Sequence, residues 1–298
     1  MVILRLTNAA GGLMDIVEDI PVMSAEPRIE EGARIQNGAY LLELSSDWIV
    51  RRASENIHHL LGDSHVTLID EPLGKFVHAQ ALHDLRNLFS RLSGTTGIAR
   101  VYAIRLTDDH HLADIAFQLV DGRVLLEAVP TAGSFGECFG TVGGLIAGLA
   151  GARGGALLDG GVRRMRALTG YDRVTLACRG ARFESSRGGF HAPATLDNGA
   201  PIIEDSEADA VPIFPRRTSH TSADQALMRS CDDQALAGLR AQGVRASLTI
   251  PFSADGISGI FRCDSRSPRA PSFELHAAAE LFAQMFALRL ALDEATNP

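Results

Sequence analysis

The chain has 298 residues, of which 46% are hydrophobic and 21% are charged, and its formal net charge at pH 7 is -8. This length fits two domains better than one, and the apolar content is that of a globular protein with hydrophobic cores. The negative charge argues against a nucleic-acid-binding surface and gives no reason to expect an anionic membrane as partner.

The N-terminal residues lack the uninterrupted apolar core of a secretory signal, and the longest apolar run, 139–152, is shorter than the ~20 residues that span a bilayer. The four cysteines, Cys138, Cys178, Cys231 and Cys263, are far apart and form no C-x-x-C motif. Neither a disulfide framework nor a zinc ribbon is indicated. We therefore expect a cytoplasmic protein with reduced cysteines.

The first half of the chain alternates between strand and helix patterns after an irregular start, in which residues 2–6 could pair as a strand. Period-two alternation and turn residues predict strands at 40–44, 48–53, 99–106, 112–119 and 123–128. Apolar residues at helical spacing predict a short helix that ends at Gly62 and a longer helix over 79–93.

The second half begins with a glycine- and alanine-rich segment, 130–161. Its G-x-x-x-G lacks the G-K-[ST] of a phosphate loop, so we expect a helix that packs closely against a neighbour. Strands are predicted at 172–177 and 257–263, and residues 200–215 are predicted to be loop-like. A terminal helix over 274–297 has a wide apolar face, which favours self-association.

The most regular stretch is 225–252. Apolar residues at three- and four-residue intervals predict a helix from Gln225, and Gly243 stands where a left-handed C-cap is favoured. From Val244 to Ile250, apolar and polar residues alternate as in a half-buried strand, which we expect Pro251 to end.

The sequence contains little that indicates an enzyme. The adjacent pairs His58-His59 and His110-His111 make poor metal ligands, because neighbouring side chains on a helix or strand point apart. The G-x-S-x-G, H-E-x-x-H and Walker signatures are absent. We therefore expect no catalytic site and no metal site.

Several motifs carry a family resemblance. LTGYDRV at 168–174, GVRASLTI at 243–250 and GISGIFRCDSRSP at 256–268 resemble the GAF domain of bacterial phytochromes, and residues 34–62 resemble their PAS domain. The resemblance implies an α+β fold in which a PAS domain (34–130) precedes a GAF domain (131–298), each an antiparallel sheet flanked by helices. It also implies an N-terminal arm over 1–33, which in phytochromes forms a figure-of-eight knot.

The residues that fasten the chromophore in that family are missing here. No cysteine precedes Cys138, and the GAF cysteine and histidine positions hold Gln234 and Ala235. The family's P-A-S-D-I-P motif survives only as a shortened remnant within 190–201, and Asp264 replaces a histidine of the late strand. The resemblance therefore implies that no residue attaches a bilin covalently.

Some features of a pocket remain. Arg229 matches an arginine that pairs with a bilin propionate, although a helix-surface arginine would have the same pattern. Ser247 and Thr249 match hydroxyl positions near the other propionate. His191 is a candidate axial ligand if the ligand is haem.

These observations predict a sensory or regulatory module that forms a homodimer through its GAF helices and binds no bilin, or binds biliverdin noncovalently. One alternative is a noncovalent binding module for biliverdin or haem. Another is a pure interaction protein whose partner is a phytochrome or a sensor kinase.

Overall fold

The computed structural model describes residues 33–92, 97–108, 111–133, 136–196, 199–216 and 222–296. In that part of the chain, the strands are β1 (Arg34–Ile35), β2 (Tyr40–Leu44), β3 (Val50–Ser54), β4 (Ala99–Ile104), β5 (Ala113–Val120), β6 (Arg123–Pro130), β7 (Arg173–Cys178), β8 (Ala181–Ser186), β9 (Ile202–Ile203), β10 (Val211–Phe214), β11 (Ala246–Ala254) and β12 (Ile257–Ser265). The α-helices are α1 (His58–Leu61), α2 (His65–Leu68), α3 (Ala79–Leu92), α4 (Glu137–Ala147), α5 (Gly154–Thr169), α6 (Asp233–Ala241) and α7 (Phe273–Thr296).

The first sheet has the order β1-β10-β3-β2-β6-β5-β4 and is antiparallel. One of its strands comes from the second half of the chain, because Ile213 and Phe214 of β10 pair with Ser54 and Ala53 of β3. The first sheet thus joins the two halves. The strand predicted at residues 2–6, and the path of the arm on which a knot depends, lie outside the described residues.

The second sheet has the order β8-β7-β12-β11-β9, and helices α5 and α7 pack on one of its faces. Phe252 and Phe261 of the sheet contact Phe286 of α7, with ring centroids 5.9 and 5.3 Å apart. Gly161 of α5 makes this packing possible, because a Cβ atom there would lie 2.3 Å from the Phe286 ring. Helix α7 is apolar and long enough to span a membrane. It packs in the hydrophobic core of this layer, however, and the core helices of globular proteins can have the same length and apolar composition.

The helix predicted from Gln225 begins later than expected. Residues 222–225 form one 3-10 turn, and α6 starts only after Asp232, whose carboxylate accepts a hydrogen bond from the Ala235 amide at 2.7 Å. Between them the chain is not helical, because the amides of Leu227 and Met228 donate to the Glu127 carboxylate instead of forming helical bonds. Gly243 has the predicted left-handed conformation, with φ of +75°.

The expectation that Pro251 ends its strand was wrong. Strand β11 continues to Ala254, and Pro251 pairs with Ile260 of β12. The Thr249 amide points away from β12 and donates to the Pro201 carbonyl. Because backbone amides two residues apart on a strand point the same way, the nitrogen of Pro251 also points away from β12. Strand β9 pairs only with Ser247 and Leu248, and the proline therefore removes no ladder hydrogen bond.

The strands β8, β9 and β10 were not expected from the sequence. The polar segment after Arg179 contains β8, which forms a hairpin with β7 through a turn at Arg179 and Gly180, both with positive φ. The segment 200–215, predicted to be loop-like, contains β9 and β10. Strands β9 and β10 are short, and their partners β11 and β3 are distant in sequence.

Candidate functional site

The face of the second sheet that points away from α5 and α7 is polar. Strands β11, β12 and β7 bring together six side chains there: Ser247, Thr249, Arg262, Asp264, Arg173 and Thr175. Because alternate residues of a strand share a face, Leu248, Ile250 and Phe252 point to the helices while their neighbours point to this polar face. The register then sets Ser247, Asp264 and Arg173 in one row, and Thr249, Arg262 and Thr175 in the next.

A buried ionic network occupies the centre of this face. Asp264 lies between two guanidinium groups: Arg173 donates from Nε at 3.0 Å and from Nη2 at 2.7 Å, and Arg262 donates from Nε at 2.6 Å. Arg262 Nη1 also donates to the Thr249 hydroxyl oxygen at 3.0 Å. The three charged residues are at most 1% exposed, so the network is removed from water.

The described residues of two stretches, 187–196 and 199–205, cover the network and are held to it mainly through their backbone. The Phe190 ring centroid lies 4.0 Å from Arg173 Cζ, and Arg173 Nη1 donates to the Ala192 carbonyl at 2.7 Å. The Thr249 amide donates to the Pro201 carbonyl at 2.8 Å, and Arg182 of β8 donates to the Ala194 carbonyl. We call residues 187–196 and 199–205 together the cover segment.

Comparison with known proteins gives structural matches only. No family model matches the sequence, and a search of curated proteins finds no match. The fold is similar to the chromophore-binding domain of the unusual bacteriophytochrome RpBphP3 from R. palustris, with a TM-score of 0.73 and 23% identity over 92% of this chain and 99% of that chain. It is also similar to that domain of Stigmatella aurantiaca phytochrome P1, with a TM-score of 0.71 and 23% identity over 89% and 98% of the two chains.

A point mutant of a Stigmatella aurantiaca bacteriophytochrome chromophore-binding domain in the Pr state matches with a TM-score of 0.73 and 26% identity, over 90% of this chain and 98% of that chain. The chain has the fold of a phytochrome chromophore-binding domain. The predicted α+β class and the predicted phytochrome resemblance are confirmed.

Two of the four residues predicted for the pocket of this phytochrome fold share one face. Ser247 and Thr249 both lie on the polar face. Thr249 accepts a hydrogen bond from Arg262, and Ser247 pairs with Asp264 across strands β11 and β12. Arg229 lies at the edge of the cover segment, where Nε donates to the Gly199 carbonyl at 2.7 Å and Nη1 to the Ala226 carbonyl at 2.9 Å. His191 is exposed at the C-terminal end of α6, with its ring against Gly243.

The sequence interpretation missed the two arginines of the network. Arg262 and Asp264 stand two residues apart in the strand sequence FRCDS, a spacing that places two charged side chains on one face of a strand. That signal was present, but it did not indicate burial. Arg173 belongs to the GYDRV motif, and its pairing with Asp264 depends on the register between β7 and β12.

Two carboxylates of the first sheet hold the segment 222–229 in this phytochrome-type module. Glu127 of β6 accepts the amides of Leu227 and Met228, both at 2.8 Å, and burial raises the pKa of its carboxyl to about 7. Glu43 of β2 accepts the Ser222 hydroxyl at 2.5 Å. Burial opposes ionisation of Glu43, but hydrogen bonds from Ser222 and Arg123 leave its pKa below the usual value. The segment that leads into α6 is therefore fixed to the first sheet.

Proposed function

We propose that the protein is a phytochrome-related sensory or regulatory module that does not attach a bilin covalently and that signals through protein contacts. The observation that carries the proposal is the Arg173–Asp264–Arg262 network, buried under the cover segment on the sheet face that bears Ser247 and Thr249. A tetrapyrrole seated against that face would have to displace the cover segment.

The cysteines support the same proposal. Cys178 and Cys263 are buried, and burial raises the pKa of both thiols, that of Cys263 to about 12. Because the thiolate is the nucleophile, these two side chains are poorly suited to form a thioether at neutral pH. The other two cysteines are half-buried beside the cover segment: Cys231 packs in a small apolar cluster with Ile203 and Leu236, and Cys138 lines a cavity with Ile202. These two are therefore the residues to exclude by experiment.

The test is to mix the purified protein with biliverdin, record the absorption spectrum, and denature the sample before a zinc-fluorescence gel. We expect no bilin fluorescence on the denatured band. A red-absorbing adduct that survives denaturation refutes the proposal, and the Cys231→Ser and Cys138→Ser variants then show which sulfur forms it. A bacterial phytochrome with its own attachment cysteine is the positive control.

Signalling through protein contacts requires a surface for a partner. Leu281, Leu288 and Leu292 of α7 are 44%, 58% and 58% exposed, and their seven- and four-residue spacing places them along one stripe of the helix. The opposite face of α7 packs on the second sheet. This stripe supports a homodimer through the GAF helices. Light scattering coupled to gel filtration tests it, and a monomeric mass at micromolar concentration refutes it.

A further inference from the structure

The network on the polar face is not balanced in charge. Arg173 and Arg262 each carry a positive charge at any physiological pH, and Asp264 supplies one negative charge. Within the described part of the chain, no second carboxylate forms an ion pair with either arginine. Glu184, on the exposed strand β8, accepts a long hydrogen bond of 3.5 Å from the Thr175 hydroxyl and forms no ion pair with either arginine among the described residues. One positive charge is thus buried without a counter-charge, which is unfavourable unless an anion or water compensates it.

The unbalanced charge has a defined position. Arg262 uses Nε on Asp264 and Nη1 on Thr249, whereas its Nη2 is buried and has no hydrogen-bond partner among the described residues. An unmade hydrogen bond at a buried guanidinium is costly, and most buried polar groups have a partner. Arginine N–H groups are well suited to an anionic oxygen.

We propose that Arg262 Nη2 binds a small monovalent oxyanion of the carboxylate type, such as formate or acetate, beneath the cover segment. An anion with a single negative charge would balance the one excess positive charge of the network. A small size follows from the cover, because Phe190 lies on Arg173 and the Pro201 carbonyl accepts a hydrogen bond from the Thr249 amide at 2.8 Å. This inference rests on the proposed function, which excludes a covalently attached bilin, and it requires in addition that no bilin occupies this face.

The test measures the unfolding temperature by calorimetry in sodium formate, acetate, propionate, benzoate or chloride at one fixed sodium concentration. We expect a saturable increase with formate or acetate that disappears as the acid becomes larger, and no such saturation with chloride. Isothermal titration with formate should give a matching dissociation constant. The absence of a saturable response in the wild-type protein overturns the inference, because water would then complete the site.

The Arg262→Met variant should abolish the saturable response, and it leaves Arg173 and Asp264 as a balanced pair. Arg266→Met is the matched control, since Arg266 is exposed near the end of the same strand and should leave the response unchanged. If Arg262→Met does not fold, the Arg262→Lys variant provides the test. A dissociation constant for formate that is at least several-fold higher than in the wild-type protein supports the site, and an unchanged constant overturns it. A covalent bilin adduct would refute the proposed function, whereas a missing formate response refutes only this inference.

Discussion

Glu127 gives the clearest quantitative prediction, because a fully buried carboxylate holds two amides of the opposite half of the chain. Burial raises its pKa from 4.5 to about 7, although Met228 and Leu227 donate hydrogen bonds to it and Arg229 and Arg100 attract its charge. A folded-state pKa above the unfolded value means that the folded protein binds the proton more tightly. Its contribution to stability is therefore complete below about pH 4.5 and is lost as the pH rises through about 7.

The size of the effect follows from the shift. One pKa unit corresponds to about 1.4 kcal/mol, so the change from 4.5 to about 7 corresponds to roughly 3 kcal/mol of unfolding free energy. The Glu127→Gln variant cannot ionise and lacks this pH dependence. Its amide oxygen can accept one backbone N–H, and the other N–H is left facing an NH2 group, a pH-independent cost of about 1–3 kcal/mol.

We therefore compare the unfolding free energies of the wild-type protein and the Glu127→Gln variant. Relative to the variant, the wild-type protein should lose roughly 3 kcal/mol of unfolding free energy between pH 4.5 and pH 8. Urea unfolding followed by fluorescence suits this measurement, because Trp48 is the single tryptophan and is buried in the core of the first sheet, which contains Glu127. Glu55→Gln, at an exposed position, is the control and should run parallel to the wild type. Parallel curves for wild type and Glu127→Gln would refute the reasoning.

Three other substitutions test the packing, a helix start and the dimer surface. Gly161→Ala should destabilise by about 1–3 kcal/mol in chemical denaturation, because its Cβ would meet the Phe286 ring, whereas Gly155→Ala in the same helix has open space and should not destabilise. Asp232→Ala removes the side-chain cap of α6 and should cost about 1 kcal/mol in the same assay; an unchanged midpoint would contradict that role. Leu288→Glu should convert the proposed dimer to monomers in light scattering without changing the circular dichroism spectrum; a dimeric mass for this variant would place the interface elsewhere.

The sequence predicts well those elements whose pattern is local. The strand at 40–44 and the helix that begins at residue 79 were found with almost the predicted bounds, because their apolar periodicity matches one face of a regular element. Strand β10 could not be predicted in this way. It is four residues long, and it is defined by its pairing with β3, about 160 residues earlier in the chain.

The start of α6 shows how tertiary contacts override a periodic pattern. Leu227 and Met228 fit the helical stripe, but their amides bind Glu127, a residue 100 positions earlier for Leu227. The acidic residue at 232 was a cap signal available in the sequence. The candidate site, too, could be predicted only in part. The alternation of apolar and polar residues places Ser247 and Thr249 on one face of their strand. The contact of Arg173 and Arg262 with Asp264 depends on the register of the sheet, which the sequence does not reveal.

The polar face of the second sheet is not the face that packs against the helices. The opposite face, with Phe252 and Phe261 packed against α7, supplies the hydrophobic core. A buried ion pair is often no more stabilising than apolar side chains of similar volume, and an excess buried charge is worse. A sheet under selection for stability alone would therefore carry apolar residues at Arg262 and Asp264. Stability alone therefore does not account for a buried network of two arginines and one aspartate, and the anion proposed above would supply the missing negative charge.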